Sequence, residues 1–168
     1  MKNHKINNQQ ERLIKIGWIK GFVDGEGCFS ISLVKQGNRK ENEKIRKGYK
    51  IGYQIFHEFA VTQGVKSLKS LEVLKEFFKV GNIYVNKRHD NHIENLYRYV
   101  VRKRSDLIKV IIPFFKENKM LTLKQTDFEK FAQCVGMMVN NKHLTSNGLK
   151  KIISIANLMN RKKQRKFN

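Results

Sequence analysis

Trp18–Phe29 reads WIKGFVDGEGCF. Glycines at positions 17, 21 and 25 recur every four residues, which on a helix places them in one stripe. A stripe without side chains lets a second helix backbone approach closely. The stretch ends on two acids, Asp24 and Glu26, and then changes period. From Cys28, Phe29, Ile31 and Leu33 alternate with Ser30, Ser32 and Val34, as in a strand with one face on a core. A carboxylate just past a helix end is a ligand for a hard cation. Helix pairing and a metal-binding acid therefore coincide at one point of the chain.

Upstream, Leu13, Ile14, Gly17, Trp18, Gly21 and Phe22 recur at three- and four-residue spacing, with Lys15 and Lys20 off that face. This predicts a helix from Glu11 to about Gly25. The first ten residues, MKNHKINNQQ, are polar and read as a flexible N-terminus. They lack the apolar core of a signal peptide and the Arg and Ser of a transit peptide.

Downstream, Lys35–Lys47 is a polar, charged loop, and a second alternating run spans Tyr49–Thr62. Tyr53, Ile55, His57, Phe59 and Val61 share its inward face; Gln54, Glu58 and Thr62 share the other. The two runs form a hairpin with a long connection. Leu68, Leu71, Leu74, Phe77 and Phe78 predict a helix over Ser67–Phe78 that Gly81 breaks. A third strand, Asn82–Arg88, turns inward Ile83 and Val85, and a fourth follows at Glu94–Lys103, joined to it by His89-Asp90-Asn91-His92. That tetrad is read as a polar turn rather than a His-Asn-His nuclease centre. Ser105 opens a helix that Pro113 ends, Lys119–Val139 is another, and Ser146 caps a last one. The tail, 161–168, is basic. Residues 11–160 read as a single domain without internal repeat. The expected fold is an α/β (α+β) chain with an αββαββα core, an antiparallel DNA-binding sheet and additional C-terminal helices.

Among 168 residues, Lys+Arg number 35 against 14 Asp+Glu, a formal net charge of +21. Such an excess points to a polyanion, because each neutralised phosphate releases condensed counterions. No apolar run is long enough for a membrane span and no basic amphipathic helix dominates, so a membrane is set aside; a small-molecule substrate is not expected either. Cys28 and Cys134 form no CxxC, which argues for a reducing compartment and against zinc. Abundant Asn, Lys, Ile and Phe with scarce Ala and a single Pro suggest an AT-rich genome, and hence an organelle, chloroplast or mitochondrion.

A sheet with one polar face and basic loops fits a DNA groove. Ser30, Ser32, Gln36, Asn38, Arg39, Lys40, Gln54, Glu58, Lys66, Asn82, Tyr84, Asn86, Arg88 and Arg98 are the candidate contacts, with Ser, Asn, Gln and Arg suited to base edges and Lys to phosphates. Of the two acids, one is free to cap backbone amides or hold a partner helix while the other reaches a metal. Mg2+ takes only one or two carboxylates beside phosphate oxygens and water. Two subunits meeting at the glycine stripe would supply a pair of acids, one for each strand.

GFVDGEG, preceded by Ile19-Lys20, resembles the motif of the LAGLIDADG homing endonucleases, and the following CFSISL resembles their first strand. FAVTQ at Phe59–Gln63 and PFF…LTLKQTDF at Pro113–Phe128 extend the likeness over nearly the whole chain. A single motif resembles the homodimeric members. The resemblance implies that motif helices pack across a dimer through Gly17, Gly21 and Asp24, and that Glu26 with the Gly25 carbonyl binds Mg2+, with Mn2+ or Ca2+ able to substitute for binding. It also implies that Gln63 orients water and that Lys124 or Lys119 approaches the scissile phosphate. Thr122 falls where small homodimers carry lysine, Lys66 stands in for a basic residue near Ser67, and Lys20 replaces the usual alanine. The implied activity is cleavage of a long, partly palindromic double-stranded DNA site that promotes mobility of a group I intron. An intron RNA maturase and a non-cleaving DNA-binding protein on the same scaffold stand as alternatives.

Overall fold

The computed structural model describes residues 2–41, 44–86 and 94–159. Its four-stranded sheet has the order β1-β4-β6-β5, where β1 is Gly27–Lys35, β4 Tyr53–Gly64, β5 Asn82–Asn86 and β6 Leu96–Val101. A separate ribbon pairs β2 (Arg39–Glu41) with β3 (Lys44–Arg46), so the segment read as a plain loop carries a short hairpin of its own. Arg88 and the His89–His92 tetrad lie outside the described residues, as does the basic tail. The chain divides into two interleaved compact units, residues 1–28 with 59–125, and residues 29–58 with 126–168.

The first unit begins with α1 (Lys2–Glu26), which starts well before Glu11. Nothing between Lys2 and Ile16 breaks a helix, and its Lys, Gln and Glu are good helix formers. Ile19 and Val23 are fully buried, whereas Leu13, Ile14 and Trp18 are exposed. The apolar pattern thus serves two faces, one on the core and one left open. The end of β4 pairs antiparallel with β6, and β6 with β5, setting Phe59 opposite Val101 and Val61 opposite Tyr99. These four residues are fully buried. α2 (Leu68–Phe78) adds Leu71, Leu74 and Phe78 to the same core. Phe59 is edge-on to Phe78, Tyr99 and Phe115, with centroids 6.3, 6.1 and 5.6 Å apart. The buried Tyr99 hydroxyl donates to the Val80 carbonyl at 2.8 Å. Gly81, at φ +76°, comes so close to β6 that a Cβ would stand 2.6 Å from the Val100 carbonyl oxygen.

Two sequence expectations need correction here, those for Val85 and Pro113. Val85 is half exposed, because β5 is an edge strand. Val100 is buried although it shares parity with Arg98, and Ala60 opposite it is buried too. Pro113 does not end its helix. α3 (Arg104–Asp106) runs through a π-type turn, Leu107–Ile111, into α4 (Ile112–Glu117). In that turn the Ile112 N–H reaches back five residues to Leu107. The wider register lets the helix absorb a residue that has no N–H to give.

In the second unit, Phe29 and Ile31 of β1 are buried, and Phe29 meets Phe128 and Phe131 with centroids 5.2 and 5.5 Å apart. Those phenylalanines belong to α5 (Lys124–Val139), whose buried face continues through Cys134, Val135 and Met138. α6 (Ser146–Ala156) contributes Leu149, Ile152 and Ala156. Its N-cap is Thr145, whose hydroxyl accepts from the Gly148 N–H at 3.1 Å, rather than Ser146, which lies one residue inside. Among the described residues no helix is long and apolar enough to cross a membrane.

Candidate active site at the foot of the first helix

The glycine stripe is open. A Cβ built on Gly17, Gly21 or Gly25 meets nothing within 4 Å. Beside it, Trp18 stacks on Phe22 at 4.9 Å, with Trp18 still 41% exposed. Glu26 is the last residue of α1 and is exposed.

Asp24 sits two residues earlier and is fully engaged within its own chain. Its Oδ2 accepts from the Leu121 N–H at 2.8 Å and the Thr122 N–H at 3.2 Å, and its Oδ1 accepts from the Thr122 hydroxyl. Burial pushes this carboxyl up. The Thr122 hydroxyl, the Leu121 and Thr122 amides and the Lys124 charge outweigh that and hold it below the ordinary carboxylate value. Of the two roles open to Asp24, capping backbone amides is the one observed within the chain. α5 starts at Lys124 and not Lys119, with the Thr122 hydroxyl capping its first turn and the Leu121 and Thr122 amides turned to the Asp24 carboxylate. The turn also leaves Leu123 86% exposed.

Lys124 donates from Nζ to the Gly25 carbonyl at 2.9 Å. Glu26, Gly25 and Lys124 are therefore gathered at one helix end, whereas Lys119 lies exposed on the turn. Gln63 stands opposite Tyr97 in the β4–β6 ladder, on the parity of Phe59 and Val61. Lys66 pairs with Glu94 at 3.3 Å.

The described residues read as DNA contacts, Lys66 aside, fall into four groups. Tyr84, Arg98 and Thr62 align in one row across β5, β6 and β4; Asn82 and Asn86 share that parity and are exposed. Ser30 and Ser32 alternate with buried Phe29 and Ile31, and Glu58 is half-buried on β4. Gln36 and Asn38 are committed to local structure: Gln36 donates to Gln54 at 3.0 Å, and Asn38 accepts from the Gly48 N–H at 3.0 Å. Arg39 and Lys40 are placed by their backbone in β2.

Sequence reasoning missed Thr122. The signal was present in Thr122-Leu123-Lys124-Gln125, a capping-box pattern. The Thr122 hydroxyl accepts from the Lys124 N–H at 3.2 Å, and the Gln125 side chain accepts from the Met120 N–H at 3.1 Å.

Among the described residues no three His, Cys, Asp or Glu gather into a metal cluster. With Asp24 occupied, the acid left at the helix foot is Glu26, and the Gly25 carbonyl beside it accepts from Lys124. One carboxylate and one carbonyl suit a hard divalent ion that completes its shell with water and phosphate oxygens, and do not suit zinc.

An αβ fold with an acid at the foot of a glycine-striped helix defines a class, and comparison with known proteins agrees. Residues 19–135 match the family model described as LAGLIDADG endonuclease, and the chain belongs to that family. The structure of the homing endonuclease I-TnaI is similar, with a TM-score of 0.71 and 36% identity over 88% of this chain and 89% of that one. I-SmaMI, solved bound to its uncleaved DNA target with calcium ions, gives a TM-score of 0.68 and 33% identity over 84% of this chain and 43% of that one. "Probable intron-encoded endonuclease 2" of Neurospora crassa is 30% identical over 142 residues, which is 83% of this chain and 26% of that protein. The chain spans about a quarter of the length of the first curated relatives it matches.

Proposed function

We propose that this chain is a site-specific, intron-encoded homing endonuclease that makes a double-strand break as a symmetric dimer. The observation that carries the reading is the meeting of Glu26, Gly25 and Lys124 at the foot of a helix whose glycine stripe is open. A polyanionic partner agrees with the net charge of +21.

The open face of α1, lined by Leu13, Ile14, Gly17, Trp18 and Gly21, is the seam with a second copy. Pairing there brings two Glu26 carboxylates together, one for each strand. Glu26 and the Gly25 carbonyl would hold a divalent ion, Mg2+ in the cell, which would supply Lewis-acid polarisation of the phosphate and activation of a water. LAGLIDADG homing endonucleases are generally divalent-metal dependent, which supports this role. The Lys124 ammonium neutralises charge developing on the scissile phosphate, and Gln63 orients the attacking water. Tyr84, Arg98, Asn82 and Asn86 face the groove, with Arg98 suited to guanine edges and the asparagines to adenine. Each subunit covers about ten base pairs. An organelle genome, chloroplast or mitochondrial, is supported by the AT-biased composition and by the intron-encoded relative.

The test is Glu26→Gln on duplexes recovered by selection from a randomised pool. The variant should bind and never cut. Cutting at the wild-type rate rejects the assignment, and binding that is unchanged in EDTA with no nicking by wild type rejects the nuclease reading.

A further inference from the structure

The contacts around Asp24 form a chain of hydrogen bonds that leads to one side chain. The carboxylate takes the Leu121 and Thr122 amides and the Thr122 hydroxyl. That hydroxyl in turn accepts from the backbone N–H of Lys124. Lys124 is the first residue of α5, and its Nζ reaches the Gly25 carbonyl, one residue on from Asp24. The turn carrying the lysine is thus fastened to the end of α1 at two levels, by its backbone through Thr122 and by its side chain through Gly25.

Such fastening has a local cost. Leu121 and Leu123 on either side of Thr122 are 87% and 86% exposed. Hydrophobic burial therefore does not hold Leu121–Leu123; hydrogen bonds to Asp24 do. Without the clamp, this stretch has no apolar reason to keep one conformation, and Lys124 loses the fixed start of its helix.

We propose that Asp24 and Thr122 are positioning residues for Lys124: they set where the ammonium stands relative to Glu26 and contribute no chemistry themselves. This rests on the nuclease reading above and assigns the helix foot a second task beside its acid. A group displaced by about 1 Å from its working position loses up to about 100-fold in rate. Thr122→Val keeps the shape and removes both hydrogen bonds, so it should slow single-turnover cleavage by about 10- to 100-fold, with DNA affinity unchanged. Thr122→Ser, which keeps the hydroxyl, should restore the rate.

A merely structural role is separated by a double-mutant cycle. In a Lys124→Met background, Thr122→Val should have no further effect, because the residue through which it acts is gone. Effects of Thr122→Val and Lys124→Met that multiply overturn the proposal, as does a loss of DNA affinity that matches the loss of rate. Amide hydrogen exchange of Leu121 and Thr122 reads the clamp independently of activity. Asp24→Asn should accelerate both amides while leaving buried Phe115 unchanged, and unaltered exchange at Leu121 and Thr122 overturns the clamp. A wild type that binds DNA and never cuts defeats the nuclease reading and with it the lysine's task; the exchange result then decides the clamp by itself.

Discussion

Replacing Gly21 by alanine should move two measurements in opposite directions. Within one chain the substitution meets no obstacle, since a Cβ at Gly21 has nothing within 4 Å. Alanine in a helix interior is favoured over glycine by about 1 kcal/mol. For a chain of this size that raises Tm by about 2–4 °C. Adding Gly17→Ala, one turn away and equally open, should roughly double the gain. In a dimer seamed along the stripe, each new methyl instead stands where two backbones meet. Overpacking costs about 1–3 kcal/mol per site, and symmetry applies it twice, so association should weaken by more than tenfold. The assay pairs thermal melts at concentrations low enough for monomer with sedimentation at rising concentration. Val23→Ala, on the fully buried face of the same helix, is the contrast and should cost about 1.5–3 kcal/mol in the dilute melt. If Gly21→Ala destabilises the dilute chain, the stripe is not open. If it leaves association unchanged, the seam lies elsewhere.

Three further outcomes are expected. The Asp24 carboxyl is held below its ordinary value of 3.8, so its contribution to stability is complete above that pH and lost as pH falls through the lowered folded value. Urea melts in EDTA between pH 5 and 2 should show this acid limb shrinking in Asp24→Asn, and an identical limb would contradict the Thr122 contacts. Phe59→Ala, at the centre of the aromatic cluster and fully buried, should cost about 3–5 kcal/mol in denaturant unfolding; a cost under about 1 kcal/mol would show that the cluster does not form. With six to ten phosphate contacts, DNA affinity should fall by about 10³–10⁵ between 50 and 200 mM salt, and a flat dependence would argue against phosphate-dominated binding.

Much of the element order was legible because periodicity is local. The alternation of Phe29 and Ile31 with Ser30 and Ser32 marks a one-faced strand wherever it occurs. The α1 pattern was legible as helix but not as two faces: Ile19 and Val23 belong to the core and Leu13, Ile14 and Trp18 do not, and residue type alone does not tell these apart. Residues expected to read DNA divided the same way. Gln36 and Gln54 bond to each other and Asn38 braces Gly48, because polar side chains near a turn satisfy the nearest backbone or amide first.

The start of α5 shows where local reading stops short. The Thr122–Gln125 cap pattern marks the helix start locally, but the carboxylate that takes the Leu121 and Thr122 amides lies almost a hundred residues earlier in the chain. Composition, charge, strand alternation and the motif acid are properties of neighbouring residues, so the sequence by itself determined the family, the candidate metal-binding carboxylate and the preference for a polyanion. Which lysine meets the helix foot was decided by tertiary structure. Lys119 and Lys124 are chemically identical, and the packing of distant segments, seen in the Asp24–Thr122 contact, brings Lys124 to Gly25.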